Sequence, residues 1–200
     1  MKKIIPFLAL CTLLLCSCGA NHSENVYFIH AVSFVNDGGK TVARFLTERQ
    51  SEDEQQNYFI AEIHGNSIDD TAQQMSSKYD KCYFATTELY FIDTDCTENF
   101  ITELSSVCEN SLLPSAARIL CVKEEDLPSL LSRIKNENDL KRILKLTKKN
   151  KVNTVRFFAK CLSDSETVSV DSLKLDSNGK IALGKSFVFP LRKTKEVTKA

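Results

Sequence analysis

The first half of the chain alternates apolar and polar positions with a period of two, which is typical of β-strands. Strands are predicted at residues 26–35, 41–46, 57–64 and 82–92. The turn sequence Asn36-Asp37-Gly38-Gly39 joins the first two strands into a β-hairpin. The polar, acidic residues 48–56 are predicted to form a loop before the third strand, which Gly65 ends.

Other segments have apolar residues three or four positions apart, the spacing of an amphipathic helix. Such a helix is predicted over residues 68–78, with Asn66 or Ser67 as its N-cap. Further helices are predicted after Asp95 and at residues 124–135, 139–146 and 153–162. Pro128 fits the helix predicted at residues 124–135 only if it lies near the first turn of that helix.

Three more strands are predicted in the second half of the chain. Residues 117–122 form a short apolar run of the kind found inside a sheet, and residues 168–175 and 181–189 form a hairpin around the turn at 176–179. The order of elements predicts an α+β (mixed α/β) fold with one mostly antiparallel or mixed sheet and helices packed largely on one face. No linker interrupts residues 26–190, so a single domain is expected there, followed by a flexible basic tail at 191–200.

The N-terminus has the pattern of an export signal. Met1-Lys2-Lys3 is basic, and the apolar run at residues 4–15 is too short to span a bilayer, which needs about 20 residues. Leu15-Cys16-Ser17-Cys18-Gly19 then matches a bacterial lipobox, in which a diacylglycerol group is attached to the cysteine sulfur and the signal is cleaved before it.

Cys18 is therefore the predicted lipidation site, with residues 1–17 as the signal peptide and residues 18–25 as a lipidated, flexible leash. Cys16 is a weaker candidate because Leu15 would occupy the position before the cleavage site, where a small residue is required. A soluble secreted protein cleaved nearby is the alternative. The lipobox predicts a protein anchored on the extracytoplasmic face of the cell membrane.

Charge gives little indication of a partner. The chain has 26 Lys and Arg against 26 Asp and Glu, which argues against a basic nucleic-acid-binding protein. Six positive charges at residues 141–151 could contact anionic headgroups or form a solvated helix face, and the acidic run at residues 48–54 is expected to be solvated too.

Five cysteines follow the anchor. They are Cys82, Cys96, Cys108, Cys121 and Cys161. Their number is odd and no C-x-x-C occurs among them, so zinc and thioredoxin-type signatures are missing. Cys108, Cys121 and Cys161 fall on predicted apolar faces, which favours buried thiols, with a single disulfide as the alternative.

Few residues suggest catalysis. His30 and His64 could approach each other and Cys82 if their strands pair, although two ordinary strand histidines explain the same pattern. Asp93-Thr94-Asp95 could bind a hard cation, but a turn with an Asp N-cap is favoured. No G-x-S-x-G, P-loop, G-x-G-x-x-G or H-E-x-x-H motif occurs. No catalytic, cofactor-binding or metal-binding residue is predicted, and the protein is not expected to be an enzyme.

One resemblance extends these observations. Residues 65–72, GNSIDDTA, are similar to a Gly-x-Thr-Ile-x-x-Ala helix start, and residues 184–189, GKSFVF, to a Gly-x-Ala-Val-Phe ending. With the lipobox, the strands at 29–35 and 83–92, and the segments 115–122 and 157–162, these features resemble the N-terminal domain of the spore germination receptor C-subunit lipoproteins, the Ger(x)C family.

The resemblance implies a non-enzymatic lipoprotein on the outer face of the spore inner membrane, acting beside the integral membrane subunits of a nutrient germinant receptor. It covers most of the mature chain and corresponds to the first domain of longer family members. Two other functions are also compatible with the sequence. One is a surface lipoprotein that binds a small solute or another envelope protein, and the other is an extracytoplasmic enzyme using Cys82, Cys96 or the strand histidines.

Overall fold

The protein has an α+β fold built on a mixed, six-stranded sheet, as the sequence predicts. The computed structural model describes residues 25–51, 54–94, 104, 107–108, 112–147, 155 and 167–190. The predicted signal, the leash up to residue 24 and the tail lie outside these ranges.

An antiparallel meander forms one half of the sheet. Its strands are β1 (Val26–Asp37), β2 (Lys40–Ser51) and β3 (Glu54–Gly65). At the β1–β2 turn, Gly38 and Gly39 have φ of 57° and 85°, the left-handed values that a two-residue hairpin turn requires. The predicted loop at 48–56 is wrong, because Glu48 pairs with Phe28 and Tyr58 and so continues the ladder.

The second half of the sheet is parallel. Helix α1 (Ile68–Lys78) follows β3 and leads to β4 (Cys82–Tyr83) and β5 (Leu89–Asp93), which both pair with β1 on the side away from β2. Strand β6 (Arg118–Val122) then pairs with β5 in parallel. The hydrogen-bonded order is β3-β2-β1-β5-β6.

The single strand predicted at 82–92 is interrupted because β1 is irregular. The register of β1 shifts between Ile29 and Ala31. There, the hydroxyls of Thr86 and Thr87 donate to the carbonyl of Ile29 at 2.9 and 3.1 Å in place of ladder bonds. The ladder resumes when the amide of Glu88 donates to the carbonyl of His30 at 3.0 Å.

The predicted closing hairpin is present, but each strand is divided in two. Strands β7 (Thr167–Val170) and β10 (Phe187–Pro190) pair with each other, as do β8 (Leu173–Leu175) and β9 (Ile181–Leu183). Ser172 stands at the break, where it forms a bridge with Cys121 and its hydroxyl donates to the carbonyl of Lys185 at 2.7 Å.

Both faces of the sheet are buried. Helix α1, β7 and β10 cover one face through residues such as Met75 and Phe189. Helices α2 (Leu127–Leu131) and α3 (Glu137–Leu146), with β8 and β9, cover the other. The described helices therefore lie on both faces, which differs from the predicted packing largely on one face.

The helix predictions differ in accuracy. Helix α1 has its predicted bounds, and Ser67 is its N-cap, since its hydroxyl oxygen accepts from the amide of Asp70 at 3.1 Å. The helix predicted at 124–135 is only a 3-10 turn (Glu124–Asp126) followed by α2, with Pro128 in the first turn as expected. The helices predicted after Asp95 and at 153–162 lie mostly outside the described residues, although Leu104 and Val155 are buried.

Candidate functional site

The one predicted site residue, Cys18, lies outside the described residues, as do the predicted signal and the leash up to residue 24. None of the helices in the described ranges has the length and apolar character that crossing a bilayer requires.

A polar cluster lies on the sheet face shared with α2 and α3, towards the start of β1. We call it the His30 cluster, and it consists of His30, Glu48, Gln50 and Tyr58. His30 Nε2 lies 2.7 Å from Glu48 Oε2, and the Tyr58 hydroxyl donates to the same oxygen at 3.1 Å. The amide of Gln50 donates to the other oxygen at 3.0 Å, and the His30 ring stacks on Tyr58 with centroids 5.3 Å apart.

Burial shapes the electrostatics of this cluster. The Glu48 side chain is only 7% exposed. Burial raises the pKa of Glu48, but the hydrogen bonds from Gln50, His30 and Tyr58 and the charge of His30 outweigh it, so the pKa lies below its usual value. Burial, then the negative charge of Glu48, raises the pKa of Tyr58, so its hydroxyl stays a donor. The cluster's donors and acceptors therefore satisfy one another, as in a structural network.

A second polar network lies further along the same face. Arg44 Nε donates to Glu62 Oε2 at 2.7 Å, and His64 Nε2 lies 3.0 Å from Glu62 Oε1. The two histidines thus bind different carboxylates, and neither contacts Cys82, whose strand pairs with β1 at Tyr27. The structure does not assemble the Cys-His site considered from the sequence. No group of three or more metal-ligating side chains occurs in the described part of the chain.

A groove of about 780 Å³ lies at the carboxyl ends of β5 and β6. It is lined by Arg44, Asp93, Thr94, Lys123, Glu124, Glu125, Pro128 and Phe187. Nη1 of Arg44 is buried without a hydrogen-bond partner within the described ranges, and so is Oγ of Ser33, the residue opposite Arg44 on β1. Two buried donors lacking acceptors are unusual. The groove is large enough for a small ligand, whereas these two atoms are buried beneath the surface.

Asp93 has a structural role in this groove. Its Oδ1 accepts from the amide of Glu124 at 3.1 Å and therefore caps the 3-10 turn that follows β6. The N-cap favoured for Asp93-Thr94-Asp95 concerns the helix predicted after Asp95, whose start lies outside the described residues, whereas the bond of Asp93 is to a turn that is remote in sequence. Asp95 lies outside the described residues.

The cysteines occupy three different environments. Cys121 is buried in the core, and Cys82 is half-buried with a thiol whose pKa burial raises to about 11. Cys108 is exposed in a turn, so its predicted place on an apolar helix face is wrong. Cys96 and Cys161 lie outside the described residues.

The two charged segments also differ from each other. The solvated role expected for the acidic run at 48–54 is wrong for Glu48, which is buried on β2. The basic segment at 141–151 begins on α3, where Lys141 pairs with Glu137 at 2.8 Å and both side chains are exposed, as on a solvated helix face. Its residues after Thr147 lie outside the described ranges.

Sequence patterns missed the His30 cluster because its members come from three strands. The signal that could have found it is the period of two along β2, which places Arg44, Leu46 and Glu48 on one face. No protein-family model matches the chain, and no curated protein or solved structure matches it either.

Proposed function

We propose that the protein is a bacterial lipoprotein, anchored through Cys18 to the extracytoplasmic face of the cell membrane, and a non-enzymatic subunit of a nutrient germinant receptor. The observation that carries the proposal is the lipobox Leu15-Cys16-Ser17-Cys18 after a basic start and a short apolar run. A diacyl anchor holds a protein stably, since each buried methylene contributes about 0.8 kcal/mol.

The start of the fold supports this arrangement. Strand β1 begins at Val26, eight residues after Cys18, and the residues between them are small and polar. A flexible segment of eight residues has an end-to-end distance of roughly 16 Å. The domain therefore stays beside the membrane, where integral subunits of a receptor reside.

The role as a binding subunit draws on the resemblance to the Ger(x)C lipoproteins and on two features of the described residues. The His30 cluster and the Arg44–Glu62–His64 network bind their own members, which supports structural rather than catalytic roles. Strand β3 is an edge strand of the described sheet and is twelve residues long. Such an edge can accept a strand from a partner.

Anchoring is tested by metabolic labelling of the full chain with a radioactive or clickable fatty acid. Cys18→Ser is expected to abolish labelling and to leave the precursor uncleaved. The matched control is Cys16→Ser, which is expected to be labelled and processed like the wild type. Labelling of the Cys18→Ser protein would contradict the anchor assignment.

The receptor role is tested by purifying a tagged full chain from spore membranes. Multi-spanning membrane proteins are expected to copurify with the wild type. The Cys18→Ser protein, which is not lipidated, should recover fewer of them. Recovery of no membrane partner, together with normal nutrient germination of a deletion strain, would rule out the receptor role.

A second candidate function is binding of a small solute in the groove, and the presence of the positive Arg44 side chain in its lining favours it. A solute with a carboxylate could pair with this side chain. A solute at 100 times its dissociation constant would stabilise the protein by about 2.7 kcal/mol. A thermal-shift screen of small carboxylates should then find a rise in melting temperature that Arg44→Gln removes, while the control Lys141→Gln, at an exposed position outside the groove lining, retains it.

A further inference from the structure

Aromatic side chains collect at the end of the sheet where β1 begins. We call this the leash end, formed by the start of β1, the end of α1 and β4. On one face, Tyr27 contacts Tyr79 and Phe59 with ring centroids 5.0 and 6.2 Å apart. On the other face, Phe28 and Tyr83 stack at 5.5 Å. The leash end thus carries rings on both faces of the sheet.

Part of this aromatic surface is exposed. Tyr83 is 49% exposed despite its stacking, so much of its ring faces solvent. Lys78 Nζ lies 5.5 Å above the Tyr79 ring. Asp80 and Lys81 are both exposed and stand between the two tyrosines in the sequence, so residues 78–83 carry one net positive charge. Tyrosine and lysine side chains have apolar bodies with polar tips, and this combination is favoured at the membrane-water interface.

The leash brings this end close to the anchor. A fully extended chain from Cys18 to Val26 reaches at most about 28 Å. Strand β1 runs away from that point, and at about 3.3 Å per residue its eleven steps to Asp37 span roughly 36 Å. The leash end is therefore near the bilayer, and the β1–β2 turn is at the opposite end of the sheet.

We propose that the leash end docks on the lipid surface that holds the anchor, with Tyr79 and Tyr83 at the level of the headgroups and Lys78 and Lys81 beside lipid phosphates. This inference rests on the proposed lipid anchor at Cys18. The docking side is the α1–β4 side of the sheet. On the β3 side, β2 ends and β3 begins around the acidic sequence Glu52-Asp53, which anionic lipids would repel.

The absence of tryptophan from the sequence allows a direct test. The full lipidated chain carrying Tyr83→Trp is reconstituted into vesicles of phosphatidylcholine and phosphatidylglycerol, with and without brominated acyl chains. Tryptophan retains the stacking on Phe28, so the fold should be preserved, which circular dichroism and the melting temperature check. The matched control is Lys40→Trp, an exposed position at the β1–β2 turn.

Docking predicts that the Tyr83→Trp emission shifts to shorter wavelength on the vesicles and is quenched by brominated lipid. The Lys40→Trp emission should do neither. A further Lys78→Gln change should weaken the quenching of the Tyr83→Trp protein on vesicles that contain phosphatidylglycerol.

Mass spectrometry of the N-terminus and flotation with vesicles are measured first. Lipidated chain that floats but shows equal, weak quenching at both tryptophans would overturn the docking and leave the anchor intact. Chain that carries no lipid and does not float would overturn the anchor, and the docking with it.

Discussion

His30 Nε2 lies 2.7 Å from Glu48 Oε2, between neighbouring strands and almost out of contact with solvent. The sequence predicted Glu48 in a solvated loop, but its carboxylate is buried on one face of the sheet. The stabilising contribution of the pair depends on the charge of Glu48, and pH can therefore reveal it.

Glu48→Gln is expected to lower the free energy of unfolding at pH 7 by about 1–3 kcal/mol, because three donors lose a charged acceptor. The native pKa of Glu48 is lowered, so its contribution is complete above the usual value of 4.5 and is lost as the pH falls through the native pKa. Urea unfolding at pH 7, 5, 4 and 3 should show a constant difference from wild type at pH 7 and 5, and a smaller difference at pH 4 and 3.

Glu62 and Asp70 also have lowered pKa values, so the wild type loses stability in acid from several groups. Only the difference between variant and wild type isolates Glu48. Glu125→Gln is the control, since its side chain is 75% exposed and should contribute almost nothing. A Glu48→Gln difference that is the same at every pH would contradict the assignment.

The β1–β2 turn predicts opposite responses to two glycine substitutions. Gly39 has φ of 85°, and no atom would meet an added Cβ, so Gly39→Ala tests backbone strain alone. It should cost about 1–2 kcal/mol. Gly38→Asn should be tolerated, because asparagine is favoured at the first position of this turn. Equal stability of the two variants by urea unfolding would rule out the left-handed turn.

The sequence allowed either Asn66 or Ser67 as the N-cap of α1, and the structure assigns this role to Ser67. Ser67→Ala should destabilise the protein by about 1 kcal/mol, because the amide of Asp70 loses its acceptor. Asn66→Ala should have little effect, since only the backbone amide of Asn66 is used, in a bond to Asp70 Oδ2 at 2.8 Å. The two melting temperatures give the comparison, and a larger loss for Asn66→Ala would reverse the assignment.

Thiol alkylation should follow burial. At pH 8 in the native state, iodoacetamide should modify Cys108 first, while Cys82 reacts slowly because burial raises its pKa to about 11. Cys121 should react only after unfolding. Peptide mass spectrometry assigns each site. Raising the pH to 10 should accelerate the alkylation of Cys82. Rapid labelling of Cys121 in the folded protein would contradict its place in the core.

The sequence predicted local structure well where the pattern was undisturbed. Helix α1 has its predicted bounds because Ile68, Ala72 and Met75 share one buried face and the Ser67 side chain accepts from the amide of Asp70. The meander follows from alternation and from two glycines at the turn. In each case, the residues that determine the structure are neighbours in the chain.

Long-range partners explain the errors. Within β2, the buried carboxylate of Glu48 is bound by His30 and Tyr58, which are 18 and 10 positions away in the sequence. The interruption between β4 and β5 depends on hydroxyls that bind Ile29 more than fifty residues away. The groove could not be predicted either, because Arg44 and Asp93 approach only through the strand order.

The central place of β1 has a consequence for how the chain matures. Its pairing with β2 is local and needs only a tight turn, whereas its pairing with β5 requires the chain to return through α1. Loop closure makes such remote parallel pairing slower. We expect the three-stranded meander to form first and to present an unpaired β1 edge until β5 pairs with it. During that interval the chain is most open to mispairing with another copy of itself.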